Sequence, residues 1–462
     1  MSMQKKMSRT YEMDMCSGPL FSKIVIFAVP LILSGILQLL FNAADIIVVG
    51  RFAGSESLAA VGSTSALINL LVNVFIGLSV GVNVLVAQFY GAQKLEELDE
   101  TVHTSIVLAA VSGVFLVMLG ELVSGPMLRL MGSPEDVLPL SSLYLKIFFI
   151  GMPATLIYNF GSAILRAVGD TKRPLYFLLF AGVINVVLNL IFVIVFSMGV
   201  AGVALATVIS QCVSAALILW CLIRSDAAYR IVPEKLRMIP SRAAAIAKIG
   251  LPAGFQGAVF SISNVLIQSS LNSFGSVAMA GGTASANIEG FVYTAMNALY
   301  QTALSFTSQN FGARRYKRMT KIMVYCMLIV TAVGIVMGCG AVLIGEQLLG
   351  IYSSDPEVIK VGMQRLTIVS GTYVICGWMD TMVGGLRGMG QSIVPMLVSL
   401  TGACALRVVW IYTVFAMNRT LQTLYLSYPV TWTVTLTAHI LCYIVIRRKI
   451  ERNRSVNADN LL

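Results

Sequence analysis

Residues 24–44, IVIFAVPLILSGILQLLFNAA, form a run of 21 residues without a charged side chain. An α-helix needs roughly 20 such residues to cross the hydrocarbon core of a bilayer. Eleven more apolar segments follow along the chain, and together they predict an all-α integral membrane protein with twelve transmembrane helices. The predicted spans are 22–49, 57–90, 101–122, 137–160, 174–196, 200–223, 246–271, 277–310, 320–343, 358–381, 394–416 and 423–446.

The composition of the whole chain supports this class. Of 462 residues, 57% are hydrophobic and 11% are charged, whereas an ordinary soluble domain has about 25% charged residues. A water-soluble globular protein is therefore excluded. The eight cysteines show no C-x-x-C spacing and only two histidines accompany them, so we expect neither a zinc site nor a disulfide framework.

The positive charges alternate between the two ends of the predicted spans. If the N-terminus is cytoplasmic, 25 of the 32 Lys and Arg residues lie on the cytoplasmic side. This bias is the one that the positive-inside rule requires, so we expect a plasma or inner membrane protein with both termini in the cytoplasm. The basic clusters then set topology and contact membrane lipids, and no nucleic acid partner is expected. The other seven cations are Arg51, Arg129, Lys360 and Arg419 outside, and Lys146, Arg365 and Arg407 within spans.

The second half of the chain repeats the first, and matching positions are separated by the same interval to within one residue. Pro30 pairs with Pro252, Asn42 pairs with Asn264, and Leu165-Arg166-x-x-Gly169 pairs with Leu386-Arg387-x-x-Gly390. Six spans per copy bring the second copy into the membrane in the same direction as the first, a design that suits a transporter with alternating access. We therefore predict an N-terminal segment 1–21, an N-lobe 22–223, a linker 224–245, a C-lobe 246–446 and a tail 447–462.

Asp45 is the first acidic side chain buried in a predicted span. Such residues are costly in a membrane and are functional candidates. The spacing of Gln38, Asn42 and Asp45 places the three on one helix face. In the fifth span, Asn185 and Asn189 also share a face. If the two faces meet, their oxygen atoms suit a small cation, whereas apolar surroundings would favour a proton on Asp45. The structural alternative is that the asparagines only join helices.

The second half carries different ionisable residues. Glu289 and Asp380 lie deep in its spans, whereas Glu121 of the first half lies at a span end and is interpreted as interfacial. Arg407, also within a span, requires an acidic partner, and we predict that Glu289 or Asp380 supplies it. We assign Glu289, Asp380 and Arg407, with Gln38, Asn42 and Asn264, to the substrate cavity or to C-lobe charge.

Pro30 lies in the middle of the first span, where it removes a backbone hydrogen bond and permits a kink. We predict a hinge at this residue, with a static kink as the alternative. Gly77 and Gly81 fit both a nucleophile pattern, G-x-S-x-G, and a helix-packing pattern, G-x-x-x-G. Their position inside a span, with no partner base, favours packing, and the chain is not expected to be an enzyme.

Several motifs resemble those of the multidrug and toxic compound extrusion (MATE) family. They are Asn42-Ala-Ala-Asp45-Ile-Ile-Val-Val-Gly50-Arg51, Gln88-Phe-Tyr-Gly91-Ala92, Leu165-Arg166-Ala-Val-Gly169-Asp170-Thr-Lys-Arg-Pro174 and the twin of the last at Leu386-Arg387-Gly-Met-Gly390. The resemblance covers nearly the whole chain. It implies a V-shaped pair of six-helix lobes that exports organic cations and other xenobiotics, driven by inward flow of sodium ions or protons.

The resemblance also assigns roles to residues. It implies that Asp45 is the coupling carboxylate, that Asn185 is its partner, and that position 189, often aspartate in relatives, is here Asn189. No cofactor is expected beyond the coupling ion, no metal beyond a sodium ion at Asp45, and a monomer is expected. The absence of an acid in helix seven and the presence of Cys376 place the chain closer to the DinF-like branch than to the NorM-like branch.

Two other functions compete with the antiporter. A flippase for lipid-linked precursors shares the two-lobe design, but such flippases line their cavity with several basic residues, and here only Arg407 is deep. An integral membrane enzyme acting on lipids lacks a nucleophile with a base and lacks a metal cluster. The sequence therefore favours an ion-coupled multidrug efflux antiporter, with the flippase as the alternative.

Overall fold

The computed structural model describes residues 11–130, 135 and 137–459, and the described chain is helical without a β-strand. This confirms the all-α prediction. Residues 1–10 of the predicted N-terminal segment and 460–462 of the tail lie outside the described residues. In chain order the first seven helices are α1 Leu20–Phe52, α2 Ser55–Ala92, α3 Leu95–Leu130, α4 Leu138–Ile150, α5 Met152–Ala167, α6 Lys172–Leu190 and α7 Gly199–Ile223.

Ten more helices follow in the described part of the chain. They are α8 Pro240–Asn272, α9 Ser276–Gly312, α10 Tyr316–Gly334, α11 Gly340–Leu343, α12 Gly345–Gly350, α13 Pro356–Val369, α14 Tyr373–Gly388, α15 Ile393–Ser399, α16 Leu406–Trp410 and α17 Leu421–Asp459. Wider, π-helical segments lie at Ile191–Val195, Ile335–Cys339, Leu400–Ala405 and Ile411–Phe415, and short 3₁₀ turns lie at Pro233–Lys235 and Ser370–Thr372.

Ten helical segments of the described chain are long and apolar enough to cross a membrane, and an eleventh is formed by α4 and α5 together. The predicted span 137–160 is therefore not straight, because α4 and α5 meet at an angle of 47°. Pro153, in the first turn of α5, cannot donate a backbone hydrogen bond across this break. The predicted span 277–310 corresponds to α9, which is long enough but more polar than these segments.

The exterior of the helices carries the side chains that a lipid environment requires. Large apolar residues are widely exposed, among them Leu122, Leu343 and Met417, the last of which is 89% exposed. Exposed apolar surface on this scale is typical of a membrane protein rather than of a soluble monomer. The structure thus supports a multi-pass membrane protein.

The described chain divides into two compact units. The N-terminal unit runs to Ala258 and includes Gly312–Arg314, and the C-terminal unit comprises Val259–Phe311 and the residues from Arg315 onward. Within the N-terminal unit α6 packs against α1 and α7, and α5 packs against α2 and α3. Within the C-terminal unit α17 packs against α13 and α14.

The glycines of α2 bring two helix backbones together inside the N-terminal unit. A Cβ atom added to Gly77 would overlap the backbone of Gly254 in α8, and one added to Gly81 would overlap the carbonyl oxygen of Ile246. Only glycine allows so close an approach. The interpretation of these glycines as helix-packing residues is therefore confirmed.

We expect Gly77→Ala to destabilise the protein by about 1–3 kcal/mol, because the added methyl group forces two backbones apart. A lowered thermal unfolding midpoint of the detergent-solubilised protein is the measurement. Gly62→Ala, on the same helix and with nothing within 4 Å of the added Cβ, is the matched control and should not lower the midpoint. Equal midpoints for the two variants would contradict the packing argument.

Candidate functional site

Asp45 lies in a hydrogen-bonded chain of polar side chains within the N-terminal unit. The Asn189 side-chain amide donates to the Asp45 carboxylate and, at 3.3 Å, to Oδ1 of Asn185. Asn185 in turn donates to Oγ1 of Thr207 at 3.4 Å. The packing of α1 against α6 and of α6 against α7 brings these three helices' side chains into one group. We call Asp45, Asn185, Asn189 and Thr207 the Asp45 cluster.

The asparagines of the Asp45 cluster lie among apolar side chains, and Asp45 itself is half-buried. Asn189 is fully buried and Asn185 is 5% exposed, while Val48, Val49 and Val193 belong to a buried hydrophobic core on the same helices. Oδ1 of Asn189 is buried and has no hydrogen-bond partner. A buried amide oxygen without a partner is costly, so this atom is available to a ligand.

The chemistry of the Asp45 cluster follows from its donor atoms. Carboxylate and amide oxygens are hard ligands that suit a small cation, and a carboxylate in apolar surroundings can alternatively hold a proton. The amide of Asn189 donates to Asp45, which stabilises the ionised carboxylate when no ion is bound. The arrangement can therefore bind and release one positive charge.

Two residues of this region, Thr207 and Tyr144, are not predicted by the sequence. Thr207 lies on α7, where its hydroxyl also donates to the carbonyl of Val203 at 2.9 Å, and Tyr144, on α4, is 8% exposed and interacts electrostatically with Asp45. A polar residue facing its neighbour across the α6–α7 hairpin is the signal that could have identified Thr207. No pattern in α4 marks Tyr144, because its position depends on how α4 packs in the unit.

Three candidate cavity residues do not take part in the hydrogen bonds of the Asp45 cluster. Gln38 and Asn42 are exposed on α1 and Asn264 is exposed on α8. Gln38 and Asn42 lie on one helix with Asp45, as their spacing predicts, but neither is hydrogen-bonded within the cluster. Their assignment to a substrate cavity stays a prediction.

Pro30 is buried in the interior of α1, which is continuous from Leu20 to Phe52. The hydroxyl of Ser34 donates to the Pro30 carbonyl at 2.8 Å. A serine bonded to the carbonyl four residues earlier, next to a proline, is an arrangement that bends helices. The hinge at Pro30 stays a prediction.

Glu289 forms a buried ion pair within the C-terminal unit. Arg365 donates Nε and Nη2 to the two Glu289 carboxylate oxygens at 2.9 Å each, and the side chains are 8% and 5% exposed, respectively. Ser285 adds a third hydrogen bond to Oε1 at 3.1 Å. This bidentate geometry is the strongest that an arginine and a carboxylate can form. The carboxylate of Glu289 is thus fully occupied by its own unit.

The predicted pairing of Arg407 with Glu289 or Asp380 is wrong. Glu289 is bound by Arg365, and within the described residues no carboxylate lies within ion-pair distance of Arg407. Asp380 instead interacts electrostatically with Arg387. The prediction took Arg407 for the deep cation of the second half, whereas Arg365 is also buried and is the residue that binds Glu289.

We expect Arg365→Gln to destabilise the protein by about 3–5 kcal/mol, because it leaves the Glu289 carboxylate buried without a counter-ion. The double variant Arg365→Gln with Glu289→Gln removes both charges and should recover most of the loss. Thermal unfolding of the two purified variants measures this. A double variant as unstable as the single one would show that the ion pair is not the cause.

The chain is similar in sequence to known transport proteins. The family model described as MatE matches residues 30–191 and again residues 252–413. A probable multidrug resistance protein, YpnP of Bacillus subtilis (strain 168), is 28% identical over 85% of this chain and 88% of its own length. An FAD transporter of Shewanella oneidensis is 23% identical over 93% of this chain and 95% of its own.

Solved structures share the fold. A MOP superfamily transporter from Pyrococcus furiosus matches with a TM-score of 0.89 at 21% identity, covering 95% of this chain and 98% of its own. The double match of one family model agrees with the internal repeat, since the second match starts at Pro252, the position that pairs with Pro30 at the start of the first. The prediction of an all-α membrane fold built from two repeated lobes is thereby confirmed.

Proposed function

The chain belongs to the MatE family, and from this premise we propose that it is a multidrug efflux antiporter that exports organic cations and other xenobiotics across the cell membrane. The family and the structural neighbours are transporters, so the chain is a transporter rather than an enzyme. In the proposed cycle, inward flow of protons or sodium ions drives export by alternating access. Multidrug resistance relatives such as YpnP support the substrate class.

The Asp45 cluster is the observation that carries this proposal. One carboxylate, held by the amide of Asn189 and surrounded by apolar side chains, can be neutral with an ion or proton bound and charged without it. The free energy of helix packing around Asp45 differs between these two states, because a buried charge is costly. Ion binding can therefore change the relative stability of two conformations, which is what coupling requires.

The orientation and organisation of the protein are part of the same proposal. The 25 positive side chains predicted on one side support a plasma or inner membrane protein with both termini in the cytoplasm. The working assembly is a monomer in contact with membrane lipids, with lobes at 22–223 and 246–446. Cys376, where acidic residues are found in other branches, supports the DinF-like branch.

A lipid flippase is the weaker alternative. Binding a lipid phosphate in a membrane calls for several basic side chains with unsatisfied donors. Among the buried arginines that the structure describes in the C-terminal unit, Arg365 is bound to Glu289, Arg387 interacts with Asp380 and Tyr300, and Arg447 pairs with Glu451, which leaves Arg407. A single arginine gives less support to a lipid phosphate site than the Asp45 cluster gives to cation coupling.

We expect Asp45→Asn to abolish ion-driven export, because an amide cannot alternate between charged and neutral forms. The measurement is export of ethidium from reconstituted vesicles under separately imposed sodium and proton gradients. The gradient that drives export by the unchanged protein identifies the coupling ion.

Glu121→Gln is the control for this experiment. Glu121 is an acid of the same unit, but it is 40% exposed and lies 3.5 Å from Lys146, so its neutralisation should leave export nearly unchanged. If neither gradient moves ethidium in the unchanged protein, or if Asp45→Asn exports normally, antiport through Asp45 is refuted. Translocation of a labelled anionic lipid then becomes the deciding assay for the alternative.

We expect Pro30→Ala to slow export while leaving the protein folded, because the substitution restores a backbone donor and stiffens α1 near its middle. Initial rates of ethidium export, compared with the unfolding midpoint of the same preparation, measure this. Unchanged export rates would identify the kink at Pro30 as static.

A further inference from the structure

Arg407 is a buried cation whose charge is not balanced by a carboxylate. It is 3% exposed, and within the described chain no acidic side chain lies within ion-pair distance. Its Nη2 donates to the hydroxyl of Thr431 at 3.2 Å, and its guanidinium lies 4.3 Å from the centre of the Tyr428 ring. Its Nε is buried without a hydrogen-bond partner. A neutral hydroxyl and a ring only partly compensate a buried positive charge.

The surroundings of Arg407 leave an excess positive charge in this part of the C-terminal unit. The guanidinium of Arg365 also lies over the Tyr428 ring, at 5.8 Å, but its charge is balanced by Glu289. The Glu289 carboxylate is bound to Arg365 alone, so the charge of Arg407 is not balanced by it. The edge of Tyr428 meets Trp432 with 5.5 Å between ring centres, so an aromatic wall adjoins the unbalanced cation.

The internal repeat relates Arg407 to a residue of the first half. The two family matches run over 30–191 and 252–413. The interval between their first residues also separates Asn185 of the Asp45 cluster from Arg407, so these two residues correspond. Pro174 and Pro395 also correspond, but they are separated by one residue less than this interval. The second copy therefore has one residue more than the first between Pro395 and Arg407. The π-helical segment Leu400–Ala405 can hold that residue, since a π-helical turn accommodates one extra residue.

The repeat therefore places a permanent cation where the N-terminal unit has a neutral amide. A second π-helical segment, Ile411–Phe415, follows α16 directly, so the five residues that carry Arg407 are bounded by irregular turns on both sides. Such turns interrupt the regular hydrogen-bond ladder and are frequent at functional sites.

We propose that Arg407, with the adjoining Tyr428 ring, is a binding subsite for an oxyanion, the carboxylate or phosphate group of an exported compound. The guanidinium fork offers its open Nε and an Nη donor to such a group, and the ring packs against an attached aromatic system. This inference rests on the proposed transport function and refines it. The chain then accepts zwitterionic and anionic aromatic compounds in addition to organic cations.

The test compares two dyes of nearly the same size. Rhodamine 110 carries a free carboxylate, and rhodamine 123 is its methyl ester. Binding to the purified full-length protein in a zwitterionic detergent is followed by fluorescence anisotropy. We expect Arg407→Gln to weaken rhodamine 110 binding by about tenfold or more, and rhodamine 123 binding by less than about twofold. Arg407→Lys, which keeps the charge but not the fork, should fall between.

A competition experiment on the unchanged protein needs no variant. Benzoate or phenyl phosphate should displace rhodamine 110, whereas neutral benzamide at the same concentration should not. Displacement by either anion supports the subsite. Equal loss of both dyes in a folded Arg407→Gln protein, unchanged rhodamine 110 binding in that variant, or no displacement by either anion would overturn it.

The dye-binding test and the ethidium export test can fail independently of each other. Ethidium export and its dependence on Asp45 test antiport and do not involve Arg407. The dye comparison tests the oxyanion subsite by binding alone, without a gradient. A protein that exports ethidium normally but binds rhodamine 110 equally well with Arg407→Gln would retain the antiporter and lose the subsite.

Discussion

Charge inside a membrane protein has to be balanced within a few ångströms, and this constraint explains the polar interior of the chain. A charged group loses its hydration there, and only a counter-ion, a set of hydrogen bonds or a bound ligand replaces it. The three deep sites use three different solutions. Asp45 is held by the amide of Asn189, Glu289 by a bidentate arginine, and Arg407 by a ring and a hydroxyl. The first charge is stabilised by a neutral group, the second by an opposite charge, and the third only in part.

The two halves therefore share a scaffold but not a chemistry. A duplicated helix bundle supplies equivalent positions, and substitution at those positions sets the charge of each unit. In the N-terminal unit, a carboxylate meets neutral amides. In the C-terminal unit, the interval between the two family matches assigns Arg407 to the position of Asn185, and the acid of α9 is already paired. Selectivity for ions and for substrates can diverge between the units without any change of fold.

Much of the fold and part of the candidate site could be predicted from the sequence. Apolar runs and the positions of charges located the spans, because the thickness of a bilayer fixes helix length. Helical spacing put Asn185 and Asn189 on one face, and the structure shows that this face meets Asp45. The partner of Arg407 could not be predicted, because periodicity gives the face of a helix but not the side chain opposite it. Arg365 and Glu289 are 76 residues apart in the chain, and only tertiary packing brings them together.

The close contact of α2 with α8 has a consequence for how the protein is made. Gly77 lies in the first half of the sequence, but its packing partner Gly254 is synthesised after the linker. The N-terminal unit also includes Gly312–Arg314, where Gly312 lies against the backbone of Gln88. The ribosome therefore completes the six spans of the first half long before all the residues that pack in the N-terminal unit have been synthesised. Until residue 314 has been inserted, glycine-lined grooves on α2 stay open to lipid or to a chaperone, and a chain cut within the linker leaves each fragment with surfaces that only the other can cover.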